Sequence, residues 1–446
     1  MPYRDLEPAI AHIGHELHVG VQHARGLRER AEQRLLDVVI SDPAARARLF
    51  QLVDAYPALR GRDEVVDHIS GYLDHESVPG HLRHAVRAAR WLPGGERAAA
   101  GAARVGIAHM ASRFIAGTDA HDARPVFEQL WSEGLGVIVD LLGEKTITEA
   151  DADRYAARVA ALVEALGTIS ANGRRAIAIK PTALAPRLRP LTAAAGLDEA
   201  SGRIEPILRQ ASTTGLLVWF DMEHYEVKDL TLELFRSTVT RVAASPSTSA
   251  PGAGIVIQAY LRDSAADLDE LIRWSAQTGR TVAVRLVKGA YWDAETVTAR
   301  AHGWPVPVYE HKGDTDANYE RCTRRLLERS SGRAPSVHPA FASHNVRSIA
   351  HAIAVADDLG LPRAQLRFQM LHGMEGGLAG AVRALGPQVD VYAPIGDLVP
   401  GMSYLVRRLL ENSSNESFVR QTTLHLDESK LLAAPVPSHP TLVEAA

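Results

Sequence analysis

Cysteine is nearly absent from this 446-residue sequence, in which Cys322 is the single example. One cysteine cannot form an internal disulfide, so a disulfide-stapled secreted fold is excluded. The same scarcity fits a reducing compartment, and we expect a cytoplasmic protein. With 46% hydrophobic and 23% charged residues, the chain has ample material for a core, and we expect one large domain with an accessory part.

Long apolar runs are also missing. No uninterrupted run approaches the roughly 20 residues that a membrane span needs, and the N-terminal sequence MPYRDLEPAIAHIGHEL contains no apolar segment of the secretory type. We therefore expect no secretory signal, and any membrane contact would be peripheral, on the inner face. The net charge of −4 gives no broad cationic field, so nucleic acid is not expected as a partner.

Strand signals are absent from the first part of the chain. Residues 1–110 show helical apolar spacing, which predicts an N-terminal α-helical region. This region contains the segment HIGHELH, with His12, His15 and His18. Their spacing drifts around a helix and lacks the HExxH pattern of zinc sites, so we expect no bound metal there.

From about residue 111 the sequence alternates between short β-type apolar runs and helical segments. Eight such runs are found, at 136–141, 176–180, 216–221, 254–260, 281–287, 339–343, 366–371 and 389–393. Helical spacing lies between them at 150–167, 229–244, 265–278, 315–330, 346–359 and 378–385. Eight strand–helix units without a Rossmann glycine fingerprint predict an α/β fold, a (β/α)8 TIM-type barrel over residues 111–420, with a doubly wound sheet as the alternative. Residues 421–446 have the proline-rich composition of a tail.

Polar side chains mark the predicted carboxyl ends of the strands, where chemistry collects in such barrels. They are Lys180, Asp221, Gln258, Arg285 with Lys288, Ser343-His344-Asn345, Gln369 with His372, and Tyr392. Burying so many polar groups is costly unless they face a ligand or one another. Purely structural pairing stays open for each, for example a salt bridge between Lys180 and Asp221. Because the set contains many donors and few acids, we expect an anionic, oxygen-rich ligand such as a phosphate-bearing cofactor or a flavin.

The segment 389–412 adds two adjacent arginines to this set. Its pattern predicts a strand, a loop and a helix, with Tyr404, Arg407 and Arg408 on one helical face. Two planar guanidiniums can grip a carboxylate and fix its orientation. The alternative is an exposed helix in which one arginine pairs with Glu411.

Several longer motifs make the sequence resemble the proline dehydrogenase family, in the form found in bifunctional PutA-type proline utilization proteins. They are RLVKGAYWDAE at 285–295, YLVRRLLEN at 404–412, IVIQAYLRD at 255–263, FASHN at 341–345, and the stretch from FIAGTDA to GLGVIVDLLGE at 114–144. The helical segment at 48–73 is similar to the N-terminal region of the same proteins. The resemblance implies a (β/α)8 enzyme that binds FAD non-covalently and oxidises L-proline to Δ1-pyrroline-5-carboxylate, with hydride transfer to flavin N5 and a membrane quinone as electron acceptor.

The resemblance also implies roles for individual residues. Asp221, Arg285 and Lys180 would be catalytic. Asp221 and Arg285 would form the active-site pair of the family, with Arg285 near flavin N5, and Arg407 with Arg408 would hold the substrate carboxylate. The full set of implied substrate contacts is Lys180, Tyr291, Tyr392, Tyr404, Arg407 and Arg408. The implied FAD contacts are Met222, Gln258, Arg285, Lys288, Gly289, Ala290, Ser343, His344 and Asn345.

The sequence departs from the family pattern in two places that flank the substrate. The lysine motif reads KPTAL, with Pro181 where leucine is common, and GDLVPGMS replaces a GTHE-like loop before the last helix. Tolerance of hydroxyproline therefore stays open. No dinucleotide fold or catalytic cysteine follows residue 420, so we expect oxidation of the product to need an aldehyde dehydrogenase domain or partner outside this chain.

Two functions of other classes stay open at this point. A Schiff-base lyase or aldolase would use Lys180 or Lys288 at a strand end. A non-catalytic proline-binding regulatory module would use the same pocket without chemistry. Borohydride trapping would reveal the first, whereas bleaching of a yellow protein by proline would indicate the flavoenzyme.

Overall fold

Eight parallel strands form a closed barrel in which each strand pairs with the next along the chain and the last pairs with the first. The strands are β1 (Gly136–Leu141), β2 (Arg175–Ile179), β3 (Leu217–Phe220), β4 (Ala253–Gln258), β5 (Val282–Val287), β6 (Val337–Ala342), β7 (Arg367–Leu371) and β8 (Gln388–Ile395). The predicted (β/α)8 barrel is confirmed.

The structure, a computed structural model, describes most of the barrel and parts of the two terminal regions. The described residues are 5–24, 113–143, 146–169, 173–242, 252–330, 337–374, 376–397 and 428–439, with the single residues 51, 64, 67, 68, 71, 84 and 442. Their helices are α1 (Glu7–Ala24), α2 (Arg124–Ser132), α3 (Glu149–Thr168), α4 (Pro181–Leu184), α5 (Ala193–Thr214), α6 (Lys228–Val242), α7 (Ser264–Thr278), α8 (Trp292–His302), α9 (Lys312–Ser330), α10 (Val346–Asp358), α11 (Gly376–Ala384) and α12 (Glu428–Leu431). In this part of the chain no helix is both long and apolar enough to cross a membrane.

Trp219 fills the centre of the barrel because the side chains around it are small. It is fully buried, and its neighbours on other strands include Ala176, Ala178, Ala283 and Ala340. Gly254 on β4 is needed for the same reason, since a Cβ at this position would lie 2.5 Å from the indole ring. The indole thus forms a solid layer between the two ends of the barrel.

An ion cluster closes the amino end of the barrel. Asp390 is 4% exposed, and its Oδ1 accepts a hydrogen bond of 2.8 Å from Nε of Arg174. Nε of Arg367 lies 3.5 Å from the other carboxylate oxygen. Gly136 leaves room for this carboxylate, because a Cβ there would collide with it. The amino end thus holds an ion cluster, while chemistry in such barrels collects at the opposite, carboxyl end.

Four helices in the described barrel region were not predicted, namely α2, α4, α5 and α8. The longest, α5, contains Pro206, which weakens a helical signature. It forms because one apolar face packs against α3 and α6. The buried residues of that face include Ala200, Ile204, Ile207, Leu208 and Ala211. Tertiary packing has therefore outweighed local propensity.

The N-terminal helix and the C-terminal segment both dock on the outside of the barrel. Helix α1 packs against α10 and α11, and Arg347 of α10 donates hydrogen bonds to Glu7 at 2.7 and 2.9 Å. The same arginine donates to the carbonyl of Leu432 at 2.7 Å. Further along, the N–H groups of Ser438 and His439 donate to Asp314. The described part of the proline-rich stretch is thus bound to the barrel, whereas its composition predicted a tail.

Candidate active site

A hydrogen-bonded chain of four side chains crosses the carboxyl end of the barrel. Nε of Arg285 donates to Oε1 of Gln369 at 2.5 Å, and its Nη1 donates to Oδ1 of Asp221 at 2.7 Å. The hydroxyl of Tyr392 donates to Oδ2 of Asp221 at 2.7 Å. These residues come from β5, β7, β8 and the end of β3. The structure therefore brings together Asp221 and Arg285, as the resemblance implied, while their catalytic role stays a prediction.

Arg285 is buried and contacts aromatic rings as well as hydrogen-bond acceptors. It is 4% exposed, and its guanidinium lies 4.5 Å from the ring centroid of Trp219 and 5.3 Å from that of Tyr392. Aromatic faces attract cations, and this attraction strengthens in desolvated places. Two rings and two hydrogen bonds thus fix a positive charge at the centre of the barrel mouth.

Tyr392 lies in the same network as a neutral donor. Burial raises the pKa of its phenol well above the usual value, and the carboxylates of Asp140 and Asp221 act in the same direction. Arg285 opposes them but does not reverse the effect. The phenol therefore stays protonated at ordinary pH, which is consistent with its hydrogen bond to Asp221.

Lys180 pairs with Asp140 and not with Asp221, the partner considered from sequence. Its Nζ contacts Oδ1 of Asp140, which is almost fully buried on β1. Burial acts to lower the pKa of Lys180, yet Asp140, Tyr155 and Asp221 together outweigh it and the pKa is raised. Because Asp221 is already bound by Arg285, the two ion pairs are separate. Lys180 is thus held at the mouth as an ammonium.

Sequence reasoning missed two acids of this site, Asp140 and Glu223. Asp140 interrupts the otherwise apolar strand GVIVDL, and a lone carboxylate in such a strand was a usable signal. Glu223 follows β3 and accepts hydrogen bonds from the N–H and hydroxyl of Thr182 at 3.1 and 2.7 Å. Burial raises the pKa of Glu223, although Thr182 and Lys180 oppose the rise. The expectation of few acids at the strand ends was therefore wrong.

Three buried polar atoms at the mouth have no partner within the described residues. They are Nη2 of Arg285, Oε1 of Gln258 and Nε2 of Gln369. Gln258 uses its other amide atom to bond the carbonyls of Met222 and Glu223 at 3.4 and 3.3 Å. Buried polar atoms are normally satisfied. Two donors and one acceptor left open at the end of one barrel fit a ligand that offers both acceptors and a donor, as the flavin ring does.

The segment Lys288-Gly289-Ala290, expected to contact FAD, forms a tight turn after β5. Gly289 has a φ of +136°, and a Cβ there would lie 2.4 Å from the ring of Tyr260, so only glycine fits. The carbonyl of Lys288 accepts a hydrogen bond from the N–H of Tyr260 at 2.7 Å. Nζ of Lys288 pairs with Asp316 at 2.5 Å. The turn is thus fixed to the neighbouring β4 loop and to α9.

The segment Ser343-His344-Asn345 follows β6 and is hydrogen-bonded to the end of β7. Nε2 of His344 accepts from the N–H of Leu371 at 3.1 Å, and Oδ1 of Asn345 caps α10 by accepting from the N–H of Ser348 at 2.9 Å. Ser343 accepts from the N–H of Asn345 at 3.0 Å. These bonds give the segment a structural role, and contact with FAD stays a prediction.

Of the remaining substrate-binding candidates, one lies within the described residues and three lie outside them. Tyr291 precedes α8, is half-buried, and places its ring centroid 4.4 Å from that of His224. Tyr404, Arg407 and Arg408, predicted to hold the substrate, lie outside the described residues.

The family profile described as "Proline dehydrogenase" matches residues 123–421. The chain belongs to the proline dehydrogenase family. A second profile, "Proline utilization A N-terminal domain", matches residues 7–114, so the proline dehydrogenase region follows a PutA-type N-terminal part.

Individual relatives agree with this assignment. The chain is 33% identical over 344 residues to the bifunctional protein PutA of Escherichia coli K12, covering 73% of this chain and 25% of PutA. It is 30% identical over 330 residues to the proline dehydrogenase of Deinococcus radiodurans, covering 72% of this chain and 92% of that protein. The crystal structure of PutA from Bdellovibrio bacteriovorus, inactivated by N-propargylglycine, superposes with a TM-score of 0.83 at 32% identity, over 98% of this chain and 46% of that one. The chain thus spans a quarter of the PutA sequences and nearly all of a shorter proline dehydrogenase.

Proposed function

We propose that this chain oxidises L-proline to Δ1-pyrroline-5-carboxylate with FAD as the immediate electron acceptor. The observation that carries the proposal is the chain Gln369–Arg285–Asp221–Tyr392, which leaves open polar atoms at the mouth of a proline dehydrogenase barrel. Such an arrangement is costly unless a ligand completes it.

FAD would be held by the open atoms of Arg285, Gln258 and Gln369, with the turn at Gly289 and the segment Ser343-His344-Asn345 beside them. The chemistry that bound FAD supplies is acceptance of a hydride from proline C5 at flavin N5. Arg285 contributes a fixed positive charge, which would stabilise the negative charge that develops where the hydride is accepted. Because the guanidinium is already oriented, little reorganisation is needed during the reaction.

L-Proline would be bound by cationic and phenolic groups around the same opening. Lys180 would donate to the substrate carboxylate from one side, and Arg407 with Arg408 from the other. Tyr291, Tyr392 and Tyr404 would enclose the pyrrolidine ring; Tyr404 and both arginines retain their roles as sequence-based predictions. The salt bridge to Asp140 keeps Lys180 charged, so we assign acceptance of the amine proton to water.

As part of the same proposal, the electrons leave to a quinone in a membrane that the protein contacts peripherally from the cytoplasmic side. Pyrroline-5-carboxylate would then be consumed by an aldehyde dehydrogenase domain or partner. A second activity outside this chain is supported by the relatives named bifunctional protein PutA. The quinone is proposed from the resemblance to the family alone.

A Schiff-base reaction remains the second candidate because burial lowers the pKa of Lys288, although Asp316 opposes the shift. A lysine with a lowered pKa is the form that attacks carbonyl carbons. Borohydride reduction in the presence of substrate, followed by mass spectrometry, should give no adduct if the flavin proposal is correct.

The proposal is tested by an absorbance scan of the purified protein before and after anaerobic addition of L-proline. We expect a yellow protein that is bleached by L-proline and recovers its colour when a soluble quinone is added. A protein that stays colourless after incubation with FAD, or whose flavin is not bleached, would refute the proposed function.

A further inference from the structure

The loops that follow β3 and β5 meet at one buried carboxylate that none of the roles above uses. Glu295 lies in the first turn of α8 and is 7% exposed. Its Oε1 accepts a hydrogen bond of 2.9 Å from the N–H of Tyr225 and lies 3.3 Å from Nδ1 of His224. Tyr225 and His224 belong to the loop that also contains Asp221 and Met222. Glu295 thus connects two loops whose strands are not neighbours in the barrel.

Tyr291 lies at the same junction. Its carbonyl accepts from the N–H of Glu295 at 2.9 Å, one helical turn away. Its ring centroid lies 4.4 Å from that of His224, with an angle of 46° between the ring planes. His224 therefore contacts both the carboxylate of Glu295 and the ring that is expected to form one wall of the substrate pocket.

His224 is placed to exchange a proton with solvent, since half of its side chain is exposed. The charged groups that act on it are Glu295 from α8 and Glu223 and Glu226 from its own loop, and all three are acidic. The hydrogen bond to Glu295 is the largest cause that raises the pKa of His224 above its usual value. Protonation therefore strengthens the contact between the two loops.

We propose that Glu295 and protonated His224 are positioning residues for Tyr291, so that L-proline binds more tightly when His224 is charged. This inference rests on the proposed function, because it concerns affinity for proline. The direction with pH follows from the raised pKa of His224. The ion pair is complete below the ordinary histidine pKa of about 6.5 and is lost as the pH rises through the pKa of the folded protein.

The test compares KM for L-proline in the wild type and in His224→Gln from about pH 6 to about pH 9, a span that brackets an ordinary or raised histidine pKa. The glutamine can still donate to Glu295 but cannot become charged. We expect KM of the variant to exceed that of the wild type by about two- to fivefold at the acid end, as for one half-exposed ion pair. The ratio of the two KM values should fall to one at the alkaline end, and the kcat ratio should stay constant. Ionisation of proline itself affects both proteins and cancels in the ratio.

His302→Gln provides a matched control on the same helix. This histidine is also exposed and lies against an aromatic ring, 4.5 Å from that of Trp304, but at the far end of α8. The ratio of KM for L-proline in His302→Gln to that in the wild type should be one at every pH.

Glu295→Gln supplies a readout that needs no proline. It keeps an acceptor for the N–H of Tyr225 and removes the charge, so the pKa of His224, followed by NMR of labelled histidine, should fall. The ratio of KM in Glu295→Gln to KM in the wild type should then follow the same pH profile as the ratio for His224→Gln.

The outcomes separate this inference from the function on which it rests. A KM ratio for His224→Gln that is flat across the pH range, in a protein that L-proline does bleach, overturns the positioning role alone. An unchanged pKa of His224 in Glu295→Gln has the same meaning. A wild type that L-proline fails to bleach defeats the proposed function, and this inference with it.

Discussion

At the scale of single residues, the barrel mouth contains two ion pairs with different tasks. Arg285 and Asp221 belong to a chain that ends in open hydrogen-bonding atoms, whereas Lys180 and Asp140 form a closed pair beside it. The first pair is suited to meet a cofactor, and the second keeps a positive charge available to a substrate carboxylate.

Replacing Arg285 with methionine should slow reduction of bound flavin by about a hundredfold or more, because one fixed charge at the reacting atoms is typically worth this much. Single-turnover bleaching under anaerobic conditions measures the step directly. The flavin content of the purified variant serves as control, since a variant that lost flavin would need reconstitution first. Bleaching at the wild-type rate would show that Arg285 has no part in the chemistry.

Replacing Asp140 with asparagine should release Lys180 from its carboxylate and let burial lower the lysine pKa. A charged hydrogen bond is worth about 1.5–3 kcal/mol, so kcat/KM for L-proline should fall by about ten- to a hundredfold. In the pH profile of kcat/KM, the fall in activity at alkaline pH should begin at a lower pH in the variant, because its Lys180 loses its charge at a lower pH.

Asp390→Asn is the matched control for Asp140→Asn. Asp390 is an equally buried strand carboxylate paired with an arginine, but at the amino end of the barrel. Asp390→Asn should lower the free energy of unfolding without changing KM for L-proline. If the two variants raised KM alike, the assignment of Asp140 to the substrate side would be wrong.

The sequence alone predicted contacts between individual residues only where a residue lay at a predicted strand end and also belonged to a family motif. The contact between Asp221 and Arg285 was foreseen. The partner of Lys180 was not, because β1 and β2 align Asp140 with Ala178 in a register that only the closed barrel defines. Asn345 likewise shows its capping role only when α10 is in place.

At the scale of elements, the two terminal segments are attached to the barrel through Arg347. This arginine is 5% exposed and bonds Glu7 of α1, Glu320 of α9 and the chain at Leu432. A buried cation that joins three separate segments should matter for stability far more than an exposed pair.

We expect Arg347→Met to lower the free energy of unfolding by about 3–5 kcal/mol, because it removes a buried cation and leaves the largely buried Glu320 without its arginine. Arg124→Met is the control: Arg124 pairs with Glu128 at 2.7 Å on the exposed face of α2 and should change stability by less than about 1 kcal/mol. Denaturant unfolding of both variants measures the difference. Equal effects would contradict a docking role for Arg347.

Most strand limits were predicted to within one or two residues, since apolar runs between polar ends are a strong local signal. Helix α5 escaped prediction because Gly196, Gly202 and Pro206 weaken its pattern, and only packing against α3 and α6 explains it. The docking of residues 428–439 was missed for a similar reason, because composition does not report which surface a segment meets.

At the scale of the whole molecule, the two ends of the barrel differ in the side chains that they gather. Asp390 with two arginines closes the amino end, and Trp219 fills the middle. The carboxyl end gathers the candidate residues from β1 to β8. Eight-fold alternation of strands and helices made this architecture predictable from sequence, and the family match to residues 123–421 agrees with it.

We infer that the carboxyl end of the barrel removes a hydride from C5 of L-proline. It is tested most directly by the rate of anaerobic flavin bleaching with L-proline deuterated at C5, compared with L-proline deuterated at C2. The account predicts slower bleaching with the C5-deuterated substrate and an unchanged rate with the other. Slowing by deuterium at C2 alone, or no bleaching with either substrate, would contradict it.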